Sequence, residues 1–161
     1  NLYRRLRETL DLSFLYKENE VVKPVKEDIN KNKSSYFELN KHISNDATIF
    51  HIADDFGQKD FLLTLQQAGR RVFSLITDKE KRLVAKNSYL VHRRKIFYVD
   101  NQAQINKKID TLLISDHNFN LNKIKDFPET VILLNCENKT FENPDYKEVF
   151  VSESIKIFRH E

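Results

Sequence analysis

The chain has 161 residues, 40% of them hydrophobic and 32% charged, with a formal net charge of +3. That length suits one domain with a single core, burying roughly 70% of its unfolded surface. A balance this close to neutral gives no support to a nucleic-acid binder, and the basic tracts "YRRLR" and "HRRK" read as solvated faces.

Cys136 is the only cysteine, so an intramolecular disulfide is excluded and a reducing, cytoplasmic setting is expected. It lies in the apolar run "VILLNC", which reads as a buried structural thiol. No stretch nears the roughly 20 apolar residues of a membrane span, and no signal peptide is visible. A chain that opens on Asn1 and contains no methionine reads as a piece of a longer protein.

In chain order, residues 1–16 predict a short helix, with Leu2, Leu6, Leu10 and Phe14 recurring at i+4. Residues 20–42 predict a longer helix, Pro24 in its first turn. Together they form a helical extension over 1–45. A domain over 46–161 follows, in which strands and helices alternate. "TIFHIA" (48–53) is a first strand. Residues 58–68 form a helix with Phe61, Leu62 and Leu65 inward, and Gly69 as the residue after its end. "RVFSLI" (71–76) is a second strand. Asp78 caps a helix reaching about Val91. "KIFYV" (95–99) is a third strand, followed by a short helix or turn over 102–107. "DTLLIS" (110–115) is a fourth, 121–127 one or two helical turns, and "TVILLNC" (130–136) a fifth. Two β-rich runs around 152–154 predict a terminal hairpin. Phe37, Phe50, Phe61, Phe73 and Phe97 are assigned to the core.

Strands alternating with helices imply right-handed crossovers and a mostly parallel, doubly wound α/β sheet of Rossmann-like type. Such sheets take ligands beyond the carboxyl ends of their strands. Attention therefore falls on Ala53 to Gly57, Thr77 and Asp78, Asp100 and Asn101, and Asp116 to Phe119. His51, inside a strand, reads as a satisfied core histidine, and His117 as a solvated loop residue. No metal-ligand spacing is present.

Three segments carry a family resemblance: "YKENEVVKPVKEDINKNKSSYFELNKHI" before the first strand, "DKEKRLVAKNSYL" after the second, and "DTLLISDHNF" at the fourth. In order and spacing the chain resembles a class I S-adenosylmethionine-dependent methyltransferase domain. More narrowly, it is similar to the carboxyl-terminal domain of Bacteroidetes multifunctional proteins that carry transporter and lysophospholipid acyltransferase parts. The resemblance implies a cofactor site made of an acidic strand residue, a glycine-rich turn, a ribose-binding acid after strand two and an adenine-side Asp after strand three. Here those places fall on His51, then Ala53, Asp55 and Gly57, then Ile76, then Asp100. Asp116 matches a position on the substrate side. The cofactor-binding candidates are thus Asp55, Gly57, Asp100 and Asp116, as vestiges.

Glycine lets backbone amides approach a ligand closely, whereas an Asp there fills space and repels the cofactor's carboxylate. Losing the ribose acid removes further charge-assisted bonds. Micromolar binding amounts to only about 8 kcal/mol, and two such losses remove most of it. The expectation is a degenerate methyltransferase-like domain with no catalytic residue, no bound metal and no cofactor, or S-adenosylmethionine if the site still works. Its partners would be other domains of the parent chain, at the cytoplasmic face of a membrane it does not enter. An active methyltransferase with an atypical pose is the first alternative. A phosphoacceptor receiver is the second, with Asp54, Asp55 and Asp100 around Mg²⁺ and Ser115 after strand four; Lys139 fits it poorly.

Overall fold

The computed structural model describes residues 37–55, 62, 65–66, 69–87, 96–136 and 138–161. By its contacts the chain divides into two units, Asn1–Phe37 and Glu38–Glu161. The helices expected over 1–16 and over most of 20–42 lie outside the described residues.

The second unit is built on a seven-stranded sheet: β1 (Thr48–Ala53), β2 (Arg71–Ile76), β3 (Ile96–Tyr98), β4 (Thr111–Ile114), β5 (Thr130–Leu134), β6 (Tyr146–Val151) and β7 (Ile155–His160). Their spatial order is β3-β2-β1-β4-β5-β7-β6. β1 to β5 run parallel, and β7 joins β5 and β6 antiparallel. The expected terminal hairpin is therefore β6–β7, turning at Ser152–Ser154. Chain direction reverses its spatial progress between β1 and β4, which is the topological switch point of a Rossmann-type sheet.

Every residue of β1, β4 and β5 is buried, as strands covered on both faces must be. Cross-strand partners Phe97, Phe73, Phe50, Leu112, Val131 and Phe158 run as one row across the sheet. All but Phe97 belong to the core on that face, together with Ile52, Ile114, Leu133, Cys136 and Phe141. Burying each such side chain is worth about 1.5–3 kcal/mol. Cys136 is 4% exposed and its thiol donates to the Leu134 and Ile114 carbonyls, so burial pushes its pKa up and leaves it inert, as expected.

Asp78 caps the helix Lys79–Lys86, its Oδ1 accepting from the Lys81 amide at 3.0 Å. That helix stops at Asn87 rather than near Val91; Asn and Ser compete for backbone hydrogen bonds and break the run of helix formers. Residues 121–127 give only the 3₁₀ turn Leu121–Lys123, because Asn120 caps the Asn122 amide at 3.0 Å and Pro128 follows closely. Leu62, Leu65 and Gln66 are helical, and Gly69 takes φ +99°, the left-handed conformation of a residue after a helix end. Two core assignments fail. Phe37 is 55% exposed and Phe97 49% exposed. Among the described residues β3 is the edge strand, and no strand outside it flanks the Phe97 ring. Phe61 lies outside the described residues.

Candidate functional site

Four of the five parallel strands deliver the candidate side chains to one edge of the sheet. β1 ends in Ala53, Asp54 and Asp55; β2 in Ile76 and Thr77; β3 runs into Asp100; β4 into Ser115 and Asp116.

Thr77 and Asp116 leave the two strands that flank β1, yet their side chains meet. Thr77 Oγ1 donates to Asp116 Oδ2 at 2.9 Å and lies 3.3 Å from the Ala53 carbonyl oxygen. The Thr77 amide also donates to Ala53 O at 2.8 Å. The second carboxyl oxygen of Asp116 accepts the Asn118 amide at 2.9 Å. Asp116 is 5% exposed, so both oxygens are used internally. Because β1 lies between β2 and β4, this latch passes over the end of β1, at the place of the first glycine in the resembled turn. Lys139 Nζ reaches the carbonyl oxygens of Asp116, His117 and Phe119 and ties the following loop down. His117 itself is exposed, as expected of a loop histidine.

A second bridge spans β2 and β3. Arg82 Nη1 donates to the Ile76 carbonyl at 3.2 Å, and its Nε lies 3.4 Å from Asp100 Oδ1. Lys86 Nζ sits 2.7 Å from Asp100 Oδ2, and the Asp100 amide donates to Gln104 Oε1 at 2.6 Å. The Lys86 hydrogen bond, aided by its charge and that of Arg82, holds the Asp100 carboxyl below the usual carboxylate range. Where the resemblance calls for a ribose-binding acid, the chain places a guanidinium on a backbone carbonyl.

Beneath the edge, His51 joins three strands. Its Nε2 lies 2.8 Å from Ser115 Oγ and its Nδ1 3.2 Å from Ser74 Oγ. Desolvation lowers its pKa to about 4, so the imidazole is neutral. One ring nitrogen donates and the other accepts, and a serine hydroxyl meets either role. Ser115 and His51 have the reach of a nucleophile–base pair. The ring, however, is 1% exposed and too weak a base for that chemistry near neutral pH.

Of the cofactor candidates, Asp116 belongs to the β1 latch and Asp100 to the β2–β3 bridge. Asp55 is partly exposed at the end of β1, and Gly57 lies outside the described residues. The receiver alternative is overturned by topology. A receiver-like sheet places β1 between β2 and β3, whereas here β3 lies outside β2. Asp100 is held by two cations, and among the described residues no three His, Cys, Asp or Glu side chains converge as metal ligands.

Sequence reasoning picked out Thr77 only by position and missed Arg82 altogether. A threonine directly after a buried strand, and an arginine one turn into the next helix, are the available signals. Neither has meaning until the strand order is known. Replacing Thr77 with valine, which keeps shape but not the hydroxyl, is expected to cost about 1.5–3 kcal/mol, read by urea denaturation. A change within error would show that water replaces the hydroxyl at Asp116.

No family model matches the chain, and a search of curated proteins finds no match. Solved structures do. The magnesium protoporphyrin IX methyltransferase of Synechocystis PCC 6803, with bound S-adenosylmethionine, aligns at a TM-score of 0.54 and 13% identity, over 90% of this chain and 86% of that one. M. capricolum TrmK, in complex with S-adenosyl-homocysteine, aligns at 0.43 and 12% identity, over 78% and 66%. The first likeness shows the fold: this chain has the Rossmann-like fold of a class I methyltransferase.

Proposed function

We propose that this domain transfers no methyl group and acts as a methyltransferase-like packing or regulatory module of a larger, lipid-modifying protein. The observation that carries the reading is the Thr77–Asp116 latch over the end of β1, where a cofactor's amino-acid end would have to rest. The Arg82 bridge supports it, since Asp100 and the Ile76 carbonyl are already engaged. The sequence resemblance to acyltransferase-bearing proteins supports a setting at the cytoplasmic face of a membrane, with the rest of the parent chain as partner. Among the described residues no helix is long and apolar enough to cross a membrane.

The fold makes S-adenosylmethionine the right probe. Isothermal titration of the folded chain with S-adenosylmethionine and with S-adenosyl-homocysteine is expected to give no saturable heat up to about 1 mM, where binding free energy is only about 4 kcal/mol. A cooperative unfolding transition in the same sample establishes that the protein is native. Saturable binding in the micromolar range would return the chain to the active methyltransferases.

A further inference from the structure

At the opposite edge of the sheet lies a cavity of about 430 Å³, at the amino-terminal ends of β2 and β3 and beside the loop that leads into β4. Its lining includes Arg70, Arg71 and Lys107, together with Asn106, and among the described residues no acidic one. Phe73 and Phe97 stack on one another in its wall, ring centroids 5.3 Å apart. Arg70 is 2% exposed, and among the described residues its Nη1 has no hydrogen-bond partner. Its other donors are spent on the Ser44 and Ile43 carbonyls and on Asn40. Cations without acids suit an anion, and an exposed ring beside them suits an apolar body attached to it. The volume is that of a small-molecule site.

We propose that this cavity binds a phosphate monoester carried on an apolar or aromatic body. Three cations match a dianionic phosphate better than a monoanionic carboxylate. The half-exposed Phe97 ring, which the sheet alone leaves uncovered, becomes the platform for the body. The site stands at the end of the strands away from the latch, so it holds whether or not S-adenosylmethionine binds.

The test is an amide chemical-shift titration of the whole chain with phenyl phosphate, hexyl phosphate, inorganic phosphate and benzoate. Either organic phosphate should shift Gly69, Arg71, Phe97, Asn106 and Lys107 saturably, at least tenfold more tightly than inorganic phosphate or benzoate. The better of the two identifies the body as ring or acyl chain. The combined Arg71→Gln and Lys107→Gln variant, both exposed positions, should weaken binding at least tenfold with its unfolding transition unchanged. Equal affinity for all four probes would overturn the proposal. So would unaltered binding in the double variant, or shifts gathered at Asp100 and Asp116 instead.

Discussion

Replacing Arg70 with methionine is expected to lower the folding free energy by about 3–4 kcal/mol, a large share of the 5–15 kcal/mol typical of a domain. The reason lies in how a helix ends. The helical segment over 37–42 leaves its last carbonyls without intrahelical donors. Arginines serve that end: Arg159 Nη2 donates to His42 O at 3.2 Å, and Arg70 Nε and Nη2 donate to the carbonyls of the two residues that follow, Ser44 O and Ile43 O, at 3.0 and 2.9 Å. Arg70 Nη2 also reaches Asn40 Oδ1 at 2.6 Å. Methionine keeps most of the apolar stem but removes three charge-assisted hydrogen bonds, worth about 1.5–3 kcal/mol each, and leaves the Ile43 carbonyl without its side-chain donor; Ser44 O keeps the Ala47 amide, and exposed Asn40 turns to water. Relief from burying a guanidinium whose Nη1 has no partner among the described residues offsets part of that. Arg70→Lys keeps one donor group and no fork, and should recover less than half of the loss. Urea denaturation with an unchanged m-value is the measurement. A loss under about 1 kcal/mol would mean that water serves these carbonyls and that the arginine cap is incidental.

Arg70 also marks where sequence reading stops. The strands were legible because each is a short apolar run between turn residues; β1 and β2 coincide with "TIFHIA" and "RVFSLI" residue for residue. Gly69 and Asp78 were legible because a left-handed backbone and a helix cap each demand a particular residue type. Arg70, between Gly69 and β2, looks like one more solvated cation. Its burial depends on carbonyls 26 and 27 residues earlier in the chain, and local pattern carries no trace of them. The same limit applies at the sheet edge. The missing glycines at Ala53 and Asp55 were visible. That Thr77 and Asp116, 39 residues apart, would close over β1 was not, because the contact follows from β1 lying between β2 and β4. The exposure of Phe97 likewise follows from strand order: an aromatic in a strand reads as core until that strand proves to be an edge.

His51 gives the clearest dependence on pH. Its folded pKa of about 4 lies below the ordinary histidine value of 6.5, since burial disfavours the imidazolium. Between those values the unfolded chain binds a proton that the folded chain refuses, so acid favours unfolding. The stability that rests on a neutral His51 is complete above pH 6.5 and falls as pH drops towards 4. The total loss is about 3 kcal/mol, at 1.36 kcal/mol per unit of pKa difference. The carboxyl groups of the chain titrate over part of the same range, so the wild-type curve alone cannot assign the effect. His51→Gln separates them. Its amide offers one donor and one acceptor group to Ser74 and Ser115 and does not titrate. The carboxyl contributions cancel in the difference between the two proteins. Wild type should lose about 3 kcal/mol relative to His51→Gln between pH 7.5 and pH 4, measured by urea denaturation. Parallel curves would mean that the imidazole accepts a proton in place, with Ser74 and Ser115 both turned to accept from it. The strand position that in the resembled family holds an acid would then hold a cation in acid conditions, instead of the neutral brace between β1, β2 and the end of β4 inferred from its burial and bonding.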